Sequence, residues 1–76
     1  MKQEKDPEVR RAAVYALGDQ DSKEAVAILA EVVKNDPNLN VRKAAIDALG
    51  RIGTPEAQKA LMEVLEGKPQ QENSRQ

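Results

Sequence analysis

Cysteine, histidine, tryptophan and phenylalanine are all missing from this chain of 76 residues, and its one tyrosine is the only aromatic side chain. No disulfide can staple the fold, and no thiolate or imidazole is on hand as nucleophile, general base or soft metal ligand. The chemistry of most enzyme classes goes with them, so the expectation is a non-catalytic protein without metal or cofactor. An excess of one charge is missing as well: 12 Lys and Arg face 13 Asp and Glu, a net charge of −1. Such a chain projects no large field towards nucleic acid or an anionic membrane, and neither is expected as a partner. Apolar runs are only a few residues long, far short of the roughly 20 that a membrane-spanning helix needs. The polar opening Met1-Lys2-Gln3-Glu4-Lys5 is not that of a signal peptide, and a cytoplasmic soluble protein is the expectation. At this length one small domain is the limit, burying only about 60% of its unfolded surface.

What is present is a repeat. A shift of 32 residues lays Val9-Arg10-Arg11-Ala12-Ala13-Val14-Tyr15-Ala16-Leu17-Gly18 on Val41-Arg42-Lys43-Ala44-Ala45-Ile46-Asp47-Ala48-Leu49-Gly50. The register continues without a gap through Glu24-Ala25 on Glu56-Ala57, Leu29 on Leu61, Glu31-Val32 on Glu63-Val64 and Pro37 on Pro69. The second unit carries a short extension, with Asn38-Leu39-Asn40 standing where the first has Glu8 alone.

Each unit reads as two helices. In the first, Val9, Ala12, Ala13, Ala16 and Leu17 recur at the i, i+3, i+4, i+7, i+8 spacing of a buried helical face. Asp6 is placed to cap it, with Pro7 at the first helical position, where a missing N–H costs nothing. Ser22 opens the second helix, whose inward residues are Ala25, Val26, Ile28, Leu29, Val32 and Val33. Asn38 caps the third, which is expected to run through Val41 to about Arg51, and Thr54-Pro55 opens the fourth. Gly18, Gly50, Gly53 and Gly67 all read as helix punctuation. Alternation of the kind a strand needs is absent. The expected organisation is an extension over 1–5, repeats over 6–35 and 36–67, and a polar, disordered tail over 68–76.

The apolar arc of the first helix spans roughly 200° at 100° per residue, about twice what packing against one partner requires. Stacking explains the width, since in an array each helix touches its own partner and the corresponding helix of the next unit.

Asp6-Pro7-Glu8-Val9-Arg10 with Ala13 and Ala16-Leu17-Gly18, and Val41-Arg42 with Ala45 and Ala48-Leu49-Gly50-Arg51-Ile52-Gly53, resemble HEAT-like repeats of the phycobilisome-lyase type. Artificial α-helical repeat binders use a similar framework. The resemblance covers about residues 6–67 and implies an all-α fold, an α-solenoid fragment of two HEAT-like helical hairpins with four helices. It also implies a protein partner, since members of such a family mostly bind other proteins, while some take part in bilin attachment and some helical-repeat relatives act on DNA. Bilin lyase activity would lack a nucleophilic or imidazole side chain here. DNA binding would need a basic stripe, yet Arg11, Lys43 and Arg51 are interleaved with Glu8, Asp19 and Asp47. The first unit departs from the family pattern where Asp19-Gln20-Asp21 stands in place of Arg51-Ile52-Gly53. A looser turn, short of one apolar anchor, is expected there.

Three groups of residues stand out. Arg10 and Arg42 lie inside an otherwise apolar arc. By the resemblance they pair with Asp6 and Asp36 in a structural ladder, since a partly buried guanidinium must be paired. On the face opposite the expected core, Glu8, Arg11, Tyr15 and Asp19 are matched in the second unit by Asn40, Lys43, Asp47 and Arg51. Stacked units make these two parallel rows, a protein-binding surface by analogy with the artificial binders, with Tyr15 suited to an interface. The same rows also read as ordinary solvated helix surface. Finally, two units leave open ends. The last helix turns polar where Val26 becomes Gln58 and Ala27 becomes Lys59, but Val14 becomes Ile46 and Ala30 becomes Met62. Ile46 and Met62 are therefore candidate end-face contacts, and the alternative to a binding module is an assembly element that forms a homodimer through its open ends.

Overall fold

The computed structural model describes residues 5–66. Its helices are α1 (Pro7–Leu17), α2 (Lys23–Asn35), α3 (Leu39–Ile52) and α4 (Pro55–Leu65). Each begins where a short polar side chain takes up amides that the first turn leaves without a helical partner. Asp6 Oδ1 accepts the Glu8 N–H at 2.9 Å, and Ser22 Oγ accepts the Ala25 N–H at 3.0 Å. Asn38 Oδ1 accepts from both Asn40 and Val41, and Thr54 Oγ1 accepts the Ala57 N–H at 3.2 Å. Pro7 and Pro55 sit in the first turns of α1 and α4.

The helices form two hairpins, α1–α2 and α3–α4, stacked so that α1 lies on α3 and α2 on α4. Helix α3 is the centre of the molecule and packs against all three others. Its inner side, Val41, Ala44, Ala45, Ala48 and Leu49, is wholly buried and meets Val14 of α1, Leu29 of α2 and Ala57 of α4 in one core. Alanines on α3 allow it neighbours on several sides, because small side chains let helix axes come close.

The same five positions fare differently in the first unit. Val9 is 49% exposed where its equivalent Val41 is 0% exposed. Ala12 and Ala16 are also exposed, and Ala13 and Leu17 only half-buried. The expected inward face of α1 is thus corrected: that side of a unit packs on the unit before it, and among the described residues no unit is stacked before α1. Helix α1 anchors itself through Val14 and Arg10 instead, with Tyr15 and Leu17 partly covered. Ile28, expected inside, is exposed on α2 for the same reason, while Ala25, Val26, Leu29, Val32 and Val33 are buried as the periodicity requires.

Glycine placement needs a second correction. Among the described glycines only Gly53 ends its helix in the left-handed region, at φ 68°, where a side chain is strained. Gly50 lies inside α3, and Gly18 caps α1 in right-handed geometry at φ −64°. Gly18 is needed for closeness: a β-carbon there would fall 2.9 Å from Ala48 Cβ. Helix α3 accordingly runs to Ile52, one residue beyond the expected end, and Ile52 packs on the core. Its equivalent Gln20 is exposed, and α1 gives way instead to a turn held by Asp19 N–H to Ala16 O and Gln20 N–H to Leu17 O. Gly67 and the 68–76 tail lie outside the described residues, as do residues 1–4 of the expected extension.

Candidate functional site

Stacking α1 on α3 brings two sequence-distant rows together around a groove of about 580 Å³. From α1 and its approach come Pro7, Glu8, Arg11 and Tyr15; from α3 and its approach come Asn38, Asn40, Lys43, Ala44 and Asp47. Six of these, Glu8, Arg11, Tyr15, Asn40, Lys43 and Asp47, belong to the rows read from the sequence. Pro7, Asn38 and Ala44 were read only as first-turn, cap and core residues. They reach the groove because each lies one helical turn or less from a row member, a proximity the spacing itself contains.

The groove carries one aromatic residue, Tyr15. Tyr15 is half-buried and packs against the core, and the Arg11 guanidinium carbon lies 5.9 Å from its ring centroid. That distance is within cation–π range. Glu8 and Asp47 balance Arg11 and Lys43, so the groove presents both signs of charge in close alternation. Such a surface matches a polypeptide carrying its own mixed charges better than a uniformly anionic phosphate backbone. Asp19 and Arg51 lie outside the groove, where Arg51 Nη2 donates to Asp19 Oδ1 at 3.3 Å between two largely exposed side chains.

Beneath the groove sits a polar knot centred on Asp36. Arg10 donates from Nε to Asp36 Oδ2 at 2.6 Å and from Nη2 to Oδ1 at 3.0 Å, a bidentate pair whose side chains are only 10% and 6% exposed. Arg10 Nη1 also donates to the Lys5 carbonyl, and Arg42 Nη1 donates to the Asp36 carbonyl at 2.7 Å. The Asn38 N–H completes the knot on Asp36 Oδ1. The Arg10 hydrogen bond holds the Asp36 carboxyl below its ordinary pKa, with help from the Asn38 amide and the charges of Arg10 and Arg42, against a burial effect that acts upward. Arg10 thereby ties the first unit to the segment that opens the second. Arg42 binds the same residue through its backbone and not its carboxylate, and Asp6 serves α1 as its cap.

Residues 1–75 match the family model for HEAT repeats. The chain belongs to the HEAT repeat family. No curated protein and no solved structure matches it. HEAT repeats generally mediate protein–protein interaction or scaffolding, commonly bind protein partners and are typically non-catalytic. Among the described residues no acidic cluster is arranged to hold a metal ion, and no helix is long and apolar enough to cross a membrane.

The two ends of this HEAT pair form a second surface. Ile46 on α3 is 37% exposed and Met62 on α4 is 53% exposed. Leu65 beside them is 79% exposed. Val9, Ala12, Ala16 and Ile28 lie uncovered at the opposite end. Sequence reasoning found Ile46 and Met62 but assigned the other end to the core. The signal for it was the repeat alignment, since a first unit lacks the neighbour that covers Val41, Ala44 and Ala48 in the second.

Proposed function

We propose that this HEAT repeat protein is a non-catalytic interaction module that holds a protein partner in the groove between α1 and α3. The observation that carries the reading is the convergence of Glu8, Arg11 and Tyr15 with Asn40, Lys43 and Asp47 on one concave surface. Likeness to phycobilisome-lyase-type repeats and to artificial helical-repeat binders supports the same face, because the exposed residues of the first helix in each unit are those varied to make such binders. The double change Tyr15→Ala with Lys43→Glu is expected to abolish partner binding while leaving helicity intact. Retained binding by a helical double variant would show the groove to be the wrong surface.

A second reading is favoured by a separate observation, the exposure of Ile46 and Met62. It is an assembly element that self-associates through the open ends of the stack.

A further inference from the structure

The interface between the two units has two unlike halves. Where α1 meets α3 it is Val14 and Gly18 on one side and Val41, Ala44 and Ala48 on the other, all of them buried, and α2 packs on α3 and α4 beside them. Gly18 lets the helices come close, since a β-carbon there would overlap Ala48 Cβ at 2.9 Å.

Each half recurs, uncovered, at one end of the molecule. Shifting the α3 half back by one unit gives Val9, Ala12 and Ala16, which are exposed on α1. Shifting the α1 half forward gives Ile46 and Gly50, which are exposed on α3. Among the described residues a β-carbon on Gly50 would meet nothing within 4 Å. A glycine inside a helix carries a conformational penalty relative to alanine, and among the described residues nothing packs on Gly50 to account for it. The second helices continue the pattern, with Ile28 uncovered at the front and Met62 and Leu65 at the back.

We propose that a second copy of this chain stacks head to tail on the first, its Ala16 seated against Gly50 as Ala48 is seated against Gly18. The proposal rests on the self-association reading and adds its partner, register and polarity. Each end face continues the internal interface, so no new packing arrangement is required. Charge agrees with the register. Asp19 and Arg51 are equivalent positions and pair within the chain, so stacking sets the next copy's Asp19 beside Arg51 and prolongs an alternating row. Arg51 has further N–H donors for a second carboxylate. The contact is heterologous and does not close, so it yields a series of lengths and no fixed dimer. The polar Gln58 stands where the first unit has the buried Val26, which keeps the association weak and concentration-dependent. Each junction also rebuilds the groove, from Asn40, Lys43 and Asp47 of one copy and Glu8, Arg11 and Tyr15 of the next.

Sedimentation of the full chain over a concentration series tests this, with circular dichroism on the same samples. The wild-type mass is expected to climb steadily with concentration, while Ala16→Lys and Gly50→Lys each remain helical monomers. An equimolar mixture of the two variants is expected to form a one-to-one dimer and nothing larger, because each keeps the face that the other has lost. Gly50→Ala, the mildest change, should weaken association at least tenfold while the fold survives. Wild type that stays monomeric throughout overturns the proposal and the self-association reading together. A variant that still associates alone, or a mixture that stays monomeric beside an associating wild type, overturns head-to-tail stacking and leaves self-association by another face.

Discussion

Gly18 lies so near Ala48 that a β-carbon on it would fall 2.9 Å from Ala48 Cβ, and the absence of a side chain there lets α1 lie close to α3. Its repeat equivalent Gly50 faces open space. The same substitution at the two positions is therefore expected to act with opposite sign. Gly18→Ala overpacks the interface and should cost about 1–3 kcal/mol. Gly50→Ala relieves a helix interior of its glycine and should add about 0.5–1 kcal/mol to the stability of the monomer. Thermal unfolding in dilute solution reads both, at roughly 4–8 °C per kcal/mol for a domain of this size. Shifts of the same sign would mean that the α1–α3 spacing is not set at Gly18.

The Arg10–Asp36 pair is nearly dry and bidentate, so removing one partner strands a buried charge. Asp36→Ala is expected to cost about 3 kcal/mol, a large share of what a domain this small possesses. Replacing both residues with apolar ones, Arg10→Met with Asp36→Leu, should recover much of that loss. A double variant as unstable as the sum of its single changes would contradict this reading of the pair.

Acid should expose the same interaction. The folded pKa of Asp36 is lowered, chiefly by the Arg10 hydrogen bond, so the unfolded chain takes up the proton first as pH falls. The stabilisation is whole above the unfolded carboxylate value of about 3.9 and is lost as pH drops through the folded value. The stability gap between wild type and Asp36→Asn should thus be widest near neutrality and shrink on acidification below that range. Denaturant titrations at several pH values measure it, and a gap that is constant with pH would rule out Asp36 as the titrating group.

Exposure separates the second ion pair from the first. Arg51 and Asp19 meet at 3.3 Å with both side chains mostly in water, so Arg51→Ala should change monomer stability by less than about 0.5 kcal/mol. Gly53→Ala, two residues on, forces a β-carbon into the left-handed region and should cost about 1 kcal/mol or more. Chemical denaturation of the two variants side by side makes the contrast measurable.

Much of this fold is written in short-range signals. The caps Asp6, Ser22, Asn38 and Thr54 act within three residues of themselves, and the repeat register follows from Val9 on Val41 through Leu17 on Leu49. The groove rows were legible because exposed positions on equivalent helices must align once units stack. What escaped the sequence depends on the number of neighbours and not on periodicity. Ala16 and Ala48 have the same helical phase, yet one is exposed and the other buried, because among the described residues α3 has a unit in front of it and α1 does not. Gly18 and Gly50 look identical as letters, and only the distance to the facing helix assigns one to close packing and the other to an open end. The Asp36 knot also needed three dimensions, since Arg42 reaches a backbone carbonyl that no residue type announces.

A photo-reactive residue placed at Lys43 in the groove, and separately at Glu31 on α2 outside it, tests the binding account most directly. With the partner present and both proteins fully helical, covalent capture is expected from position 43 and not from position 31. Capture from position 31 alone would move the binding surface to the second helices and contradict the role assigned to the α1–α3 groove.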